Sequence, residues 1–172
     1  PVSAPEMSPA SVVNEVADDY YAHVLATAPE AAYFSGIELD RHDGLFDNSL
    51  EAGAANEALV DAMLARLQTV DADDLIGDPA WITYAYLREE LEAKVGVRDC
   101  RTEIWTVNQM GGWHSGYAQI AQLQPVGTAE LREQSRARWS KVASFINQEL
   151  DNLGEGIKRG YTAPKTVVQR VV

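Results

Sequence analysis

One cysteine, three histidines and no glycine-rich phosphate loop leave this sequence with little of the usual equipment of catalysis. Cys100, being alone, cannot close an internal disulfide, which suits a reducing cytosol and a disulfide-poor bacterial envelope equally. No apolar run approaches the roughly 20 residues needed to span a bilayer, and no signal-peptide pattern of charged and then apolar residues is present, so the chain reads as soluble. Basic residues are few and scattered, 14 against 26 acidic ones, for a formal net charge of −12. That balance repels phosphate backbones and anionic lipid surfaces, so nucleic acid is not an expected partner. Runs of alternating apolar and polar residues are missing too, which leaves no basis for a sheet.

What is present is helical periodicity in a 172-residue chain whose 46% hydrophobic content is enough to bury a core. The first residues, Pro1 to Pro9, are rich in proline, alanine and serine, as in the stretch after a removed leader or at the start of a trimmed chain, and residues 1–11 read as a linker. Val13, Val16, Tyr20, Val24 and Ala28 then recur every three to four residues, which predicts a helix from near Ser8-Pro9 to near Pro29. From Pro29 to Asn48 the pattern dissolves into an ordered loop with a short helical turn. Leu59, Val60, Met63, Leu64 and Leu67 place a second helix over about 49–70. Asp78-Pro79 signals a third start, because the carboxylate accepts from an orphaned N–H and proline is tolerated in the first turn. Its inward line is Trp81, Tyr84, Leu87, Leu91 and Val95. After a Gly/Gln/Trp-rich stretch with a short helix near 115–123, Thr128 caps a long last helix with the buried line Leu131, Trp139, Val142, Ile146, Leu150 and Leu153, whose end Gly154 and Gly156 should weaken. A short helix begins at Pro164. The sum is an all-α antiparallel bundle of about five helices with a long Gly/Trp-containing loop, one helical domain over 12–172.

Catalytic patterns fail on spacing. Zinc hydrolysis on a helix needs two histidines one turn apart with a glutamate beside the first, and His23, His42 and His114 are not so placed; they read as scattered surface histidines, His23 lying in solvent one turn from Asp19. If Gly44 were the turn glycine of a calcium loop, the first and third ligand positions would hold Leu39 and Arg41, so the 38–44 loop reads as a solvated turn. Ser115 lacks glycines two residues to either side and is no nucleophile elbow. Cys100 reads as a small core residue, and adjacent carboxylates such as Asp18-Asp19 point about 100° apart on a helix. The stretch from Trp105 to His114 stands apart. Its indoles, Trp105 and Trp113, with Asn108, Gln109, His114 and flexible glycines, are materials for a wall that grips peptide or sugar; equally, the indoles anchor the loop while the amides satisfy its backbone.

The order of these features, namely the helix into Pro29 and Gly36, the Asp47-Asn48-Ser49 entry, the Asp-rich link before Tyr84 to Leu91, Asn108-Gln109-Met110-Gly111, and Gly156-Ile157-Lys158-Arg159-Gly160 leading to Pro164-Lys165-Thr166-Val167-Val168, resembles the N-terminal part of the bacterial domain-of-unknown-function 885 family. The resemblance implies a helical, zinc-metallopeptidase-like protein, often exported or lipid-anchored in the cell envelope, with an H-E-x-x-H helix much later in a longer polypeptide. It also implies that the last long helix continues to Gly160, against the local reading. Since no such motif is present here, no catalytic residue carries over and no metal ligand is assigned; zinc belongs to the full-length family. The expected role is then that of a substrate-cleft-side region, not catalytic alone, with Trp105, Asn108, Gln109, Trp113 and His114 toward a peptide substrate. The C-terminal stripe of Val167, Val168, Val171 and Val172 is expected to dock on the remainder of the same polypeptide or on a second copy. The rival readings are a free-standing helical binding module and, third, a small enzyme using Cys100 or converged histidines.

Overall fold

The computed structural model of the protein describes residues 7–108, 110 and 112–171. Every regular element among them is helical: α1 (Pro9–Thr27), α2 (Ala32–Ser35), α3 (Leu50–Leu67), α4 (Ala80–Gly96), α5 (Trp113–Leu123), α6 (Ala129–Trp139), α7 (Val142–Arg159) and α8 (Lys165–Val171), with short 3₁₀ turns between several of them. The all-α expectation holds, with no strand among the described residues. The chain divides into two compact units, Pro1–His23 with Ala54–Cys100, and Val24–Gly53 with Arg101–Val172.

In the first unit, helix starts follow from capping chemistry. Ser8 Oγ accepts from the Ser11 N–H ahead of Pro9, so α1 begins before the linker boundary expected at residue 11. Asp78 Oδ1 accepts from the Ala80 N–H at 2.8 Å, as the Asp78-Pro79 signal predicts. Val13 and Val16 of α1, Val60, Met63 and Leu67 of α3, and Tyr84, Leu87 and Leu91 of α4 form one core with Val70, Leu75 and Ala80. Helix directions can be read from polar pairs. Arg66 late in α3 meets Glu15 and Asp19, whereas Asn56 early in α3 meets His23, so α1 and α3 are antiparallel. Arg98, just past α4, pairs with Asp61 and the Glu57 carbonyl, so α3 and α4 are antiparallel as well. Tyr20 donates to Glu90 at 2.8 Å and ties α1 to α4.

Four expectations fail in this unit. Leu59 and Trp81 are exposed because each lies at the edge of its helix's apolar arc rather than at its centre. Cys100 is exposed in a 3₁₀ turn instead of packed in the core. His23 is half-buried and shares a hydrogen bond with Asn56 rather than standing in solvent.

The second unit also departs from expectation. The predicted long last helix is two helices, α6 and α7, broken at Ser140-Lys141. Its buried positions are Arg138, Phe145, Asn152 and Gly156, while Leu150 is exposed and Leu131, Trp139, Val142, Ile146 and Leu153 are only half-buried. Gly154 and Gly156 do not weaken α7, which runs to Arg159 as the family resemblance implies. It stops at Gly160, whose φ of 83° suits a residue without Cβ; the Tyr161 N–H reaches the Gly156 carbonyl at 2.9 Å and the Gly160 N–H reaches Ile157 at 3.1 Å. Gly156 is itself required, since a Cβ there would overlap the Ile104 carbonyl oxygen. In α8, Val167 and Val171 are half-buried and Val168 is exposed, while Val172 lies outside the described residues.

Candidate functional site

The second unit is organised around a loop, residues 36–49, that has almost no regular structure of its own. Backbone polar groups shielded from water need hydrogen-bond partners, and here side chains from α6 and α7, the link between them, the residue just past α5 and the 3₁₀ turn at Pro29–Ala31 supply them. The His42 N–H donates to Gln134 Oε1 (2.7 Å) and its carbonyl accepts from Gln124 Nε2 (2.8 Å). The Asp43 carbonyl accepts from Lys141 Nζ (2.9 Å), the Gly44 carbonyl from Arg138 Nε (2.5 Å), and the Phe46 N–H donates to Glu30 Oε1 (3.1 Å). Further on, Asn152 Nδ2 donates to the Asn48 carbonyl (2.7 Å) while Asn48 Nδ2 donates to the Phe145 carbonyl (3.1 Å) and to Glu149 (3.0 Å). Gly44 is needed for closeness as well, because a Cβ would sit 2.6 Å from Pro29 Cγ. Of the solvated turn expected at 38–44, residues 42–44 are instead pinned by these bonds, while Glu38, Asp40 and Arg41 are exposed. Arg41 pairs with Asp43, which holds the Asp43 carboxyl below its usual range.

Arg138 is the centre of this network. It has no exposed surface, donates Nη1 to the Tyr33 hydroxyl at 2.7 Å, and lies 5.1 Å from the Tyr33 ring centroid. The hydroxyl thus receives one hydrogen bond and has its own proton to give to Nδ1 of His42, 2.7 Å away, with the Tyr33 and His42 rings stacked. Burial and the nearby guanidinium both push the His42 pKa below its ordinary value. His42 is therefore not one of a set of scattered surface histidines. Glu30 and Gln124 are buried as Arg138 is, and Glu30 Oε2, Gln124 Oε1 and Arg138 Nη2 reach no hydrogen-bond partner among the described residues.

An aromatic group adjoins the network. Trp113 packs edge-on against Phe145 with centroids 6.1 Å apart, Tyr117 packs on Phe145 at 5.1 Å, and Trp139 closes on Tyr117 at 6.4 Å. Burial, then the carboxylates of Glu30 and Glu149, push the Tyr117 phenol upward, so it stays protonated. Phe145 also lines a groove of about 320 Å³, together with Leu45, Phe46, Asp47, Asn48, Lys141, Ser144 and Gln148.

The residues singled out in the sequence fall as follows. Trp113 is half-buried at the start of α5 and His114, edge-on to it, is exposed. Trp105 and Asn108 are half-buried, and Asn108 Oδ1 accepts from the Met110 N–H at 2.9 Å. Gln109 and the hinge residue Gly111 lie outside the described residues. Ser115 spends its hydroxyl on the Gly112 carbonyl at 2.9 Å. Among the described residues no three of His, Cys, Asp and Glu gather as metal ligands would. Sequence reasoning missed Glu30, Tyr33, Gln124, Gln134, Arg138 and Asn152. One signal was there: Arg138, Phe145 and Asn152 recur every seven residues, marking an inward face that is mostly polar.

An all-α chain with a polar-pinned loop and an aromatic-rimmed groove thus defines the class. The family described as bacterial protein of unknown function (DUF885) matches residues 29–172, and the chain belongs to that family. No curated protein and no solved structure matches it. No helix among the described residues is long and apolar enough to cross a membrane.

Proposed function

We propose that this chain forms the substrate-side helical region of a larger zinc-metallopeptidase-like hydrolase and performs no hydrolysis by itself. The observation that carries this reading is the groove beside Phe145, where apolar Leu45 and Phe46 face amide, hydroxyl and ammonium groups from Asn48, Ser144, Gln148 and Lys141. An extended peptide presents the same alternation, side chains for the apolar floor and backbone groups for the polar rim. The pinned loop makes that floor rigid, which lowers the entropy cost of binding. Trp113 packs on Phe145, a lining residue of the groove, and His114 packs edge-on to Trp113.

The described residues do not fit a zinc ion, so the metal chemistry that the family resemblance implies is assigned to no residue here and no hydrolytic step is derived. Peptide binding is tested by indole fluorescence. Unstructured peptides rich in leucine and phenylalanine should shift the emission of the chain saturably, and Phe46→Asp should weaken the effect about tenfold. Peptide cleavage by the purified chain in the presence of zinc, followed by mass spectrometry, would contradict the reading.

A further inference from the structure

The charge of this chain is unevenly distributed. Residues 1–23 and 54–100, the first unit, hold 14 acidic and 4 basic residues, a formal net charge of −10; the second unit holds 12 acidic and 10 basic, a net of −2. On the same acidic unit α4 is apolar on two sides. One side, Tyr84, Leu87 and Leu91, fills the core. The other carries Ile82, 71% exposed, and Tyr86, 72% exposed, one turn apart and about 180° from the buried line at 100° per residue. Ala93 continues the stripe along the helix, exposed Ile76 precedes it, and exposed Val97 follows it. Exposed acidic residues accompany it: Asp73, Asp74 and Asp78 at one end, Glu89 on the stripe itself between Tyr86 and Ala93, and Glu92 at its side, paired with Arg88 at 2.8 Å.

A surface helix ordinarily turns charged residues outward, and a row of large apolar side chains there marks a face that is covered in use. We propose that the outer face of α4 is a docking surface for a cationic amphipathic helix of a partner protein, its apolar ridge laid along Ile82 and Tyr86 and its lysines or arginines over these acidic residues. Charge decides the occupant. A second copy would set the same net −10 against itself, whereas a basic helix gains attraction from the acidic residues and apolar burial from the stripe. The surface is separate from the groove beside Phe145, and the inference does not rest on the peptidase reading.

The test uses a synthetic helical peptide of leucine and lysine, with a leucine–glutamate counterpart as control, titrated into the intact chain by calorimetry. The expected result is saturable one-to-one binding of the basic peptide only, weakened about tenfold or more by Ile82→Asp with Tyr86→Asp. Both side chains are exposed, and an unchanged thermal unfolding curve verifies that the variant is folded. The double substitution adds two negative charges, so binding that tightens in the variant would reveal a merely electrostatic association and overturn the proposal. Self-association of the chain in sedimentation, abolished by the same substitutions, would assign the face to a second copy and overturn it as well.

Discussion

Arg138 and Tyr33, 105 residues apart in sequence, are joined by a 2.7 Å hydrogen bond from guanidinium to phenol, and that bond sets the direction of the next one, to His42. Replacing Arg138 by methionine keeps much of the stem but leaves the Gly44 carbonyl and the Tyr33 hydroxyl without their charged donor. Hydrogen bonds to a charged group are worth about 1.5–3 kcal/mol each, so urea unfolding should show a loss of about 3 kcal/mol or more. Tyr33→Phe should cost about 1–3 kcal/mol. The double variant should lose less than the sum, because the two residues share one interaction.

The same chain of bonds predicts a pH effect of definite sign. His42 accepts from Tyr33 only when Nδ1 is unprotonated, and its folded pKa is lowered by burial first and by Arg138 second. As pH falls through the ordinary value of 6.5 the unfolded chain takes up this proton before the folded one does, so stability is fully present above about 6.5 and declines below it. The Asp43 carboxyl, held below its usual range by Arg41, keeps its charge through that window. Urea midpoints measured from pH 7.5 to 5.5 should fall for the native chain and fall less for His42→Gln.

Two glycines two residues apart in α7 should respond in opposite ways. At Gly156 a methyl group would run into the Ile104 carbonyl, so Gly156→Ala should destabilise by about 1–3 kcal/mol or more. At Gly154 a Cβ meets nothing within 4 Å, and Gly154→Ala should stabilise by about 0.5–1 kcal/mol through helix propensity alone. Thermal unfolding of the two variants checks both signs.

Trp113 is half-buried against Phe145 and Tyr117, so its removal should cost about 3 kcal/mol, the lower edge for a large buried aromatic. A change below about 1 kcal/mol would show that the indole serves only the surface.

How much of this was legible beforehand depended on what each helix buries. Val13 and Val16, Val60, Met63 and Leu67, and Tyr84, Leu87 and Leu91 are apolar residues on apolar faces, and periodicity located them directly. The caps at Asp78 and Thr128 were visible because capping is local chemistry; Thr128 Oγ1 accepts from the Leu131 N–H as expected. The second unit hid its interior. Its inward residues on α6 and α7 are Arg138 and Asn152 beside Phe145, so a search for apolar positions selected the neighbouring line through Trp139, Ile146 and Leu150. The partners of these polar side chains are backbone groups of a loop about 100 residues earlier, a relation that no local pattern encodes. Of the site residues expected from the sequence, Trp113 is the one joined by ring contacts to Phe145 at the edge of the groove.

The most direct test of the central claim is a ¹H–¹⁵N NMR titration of the labelled chain with an unstructured leucine- and phenylalanine-rich peptide, zinc present and the peptide's mass followed in parallel. The account predicts shifts concentrated at residues 45–48, at 141–148 and at the Trp113 indole N–H, with the peptide recovered intact. A cleaved peptide, or shifts that leave these residues unmoved, would contradict it.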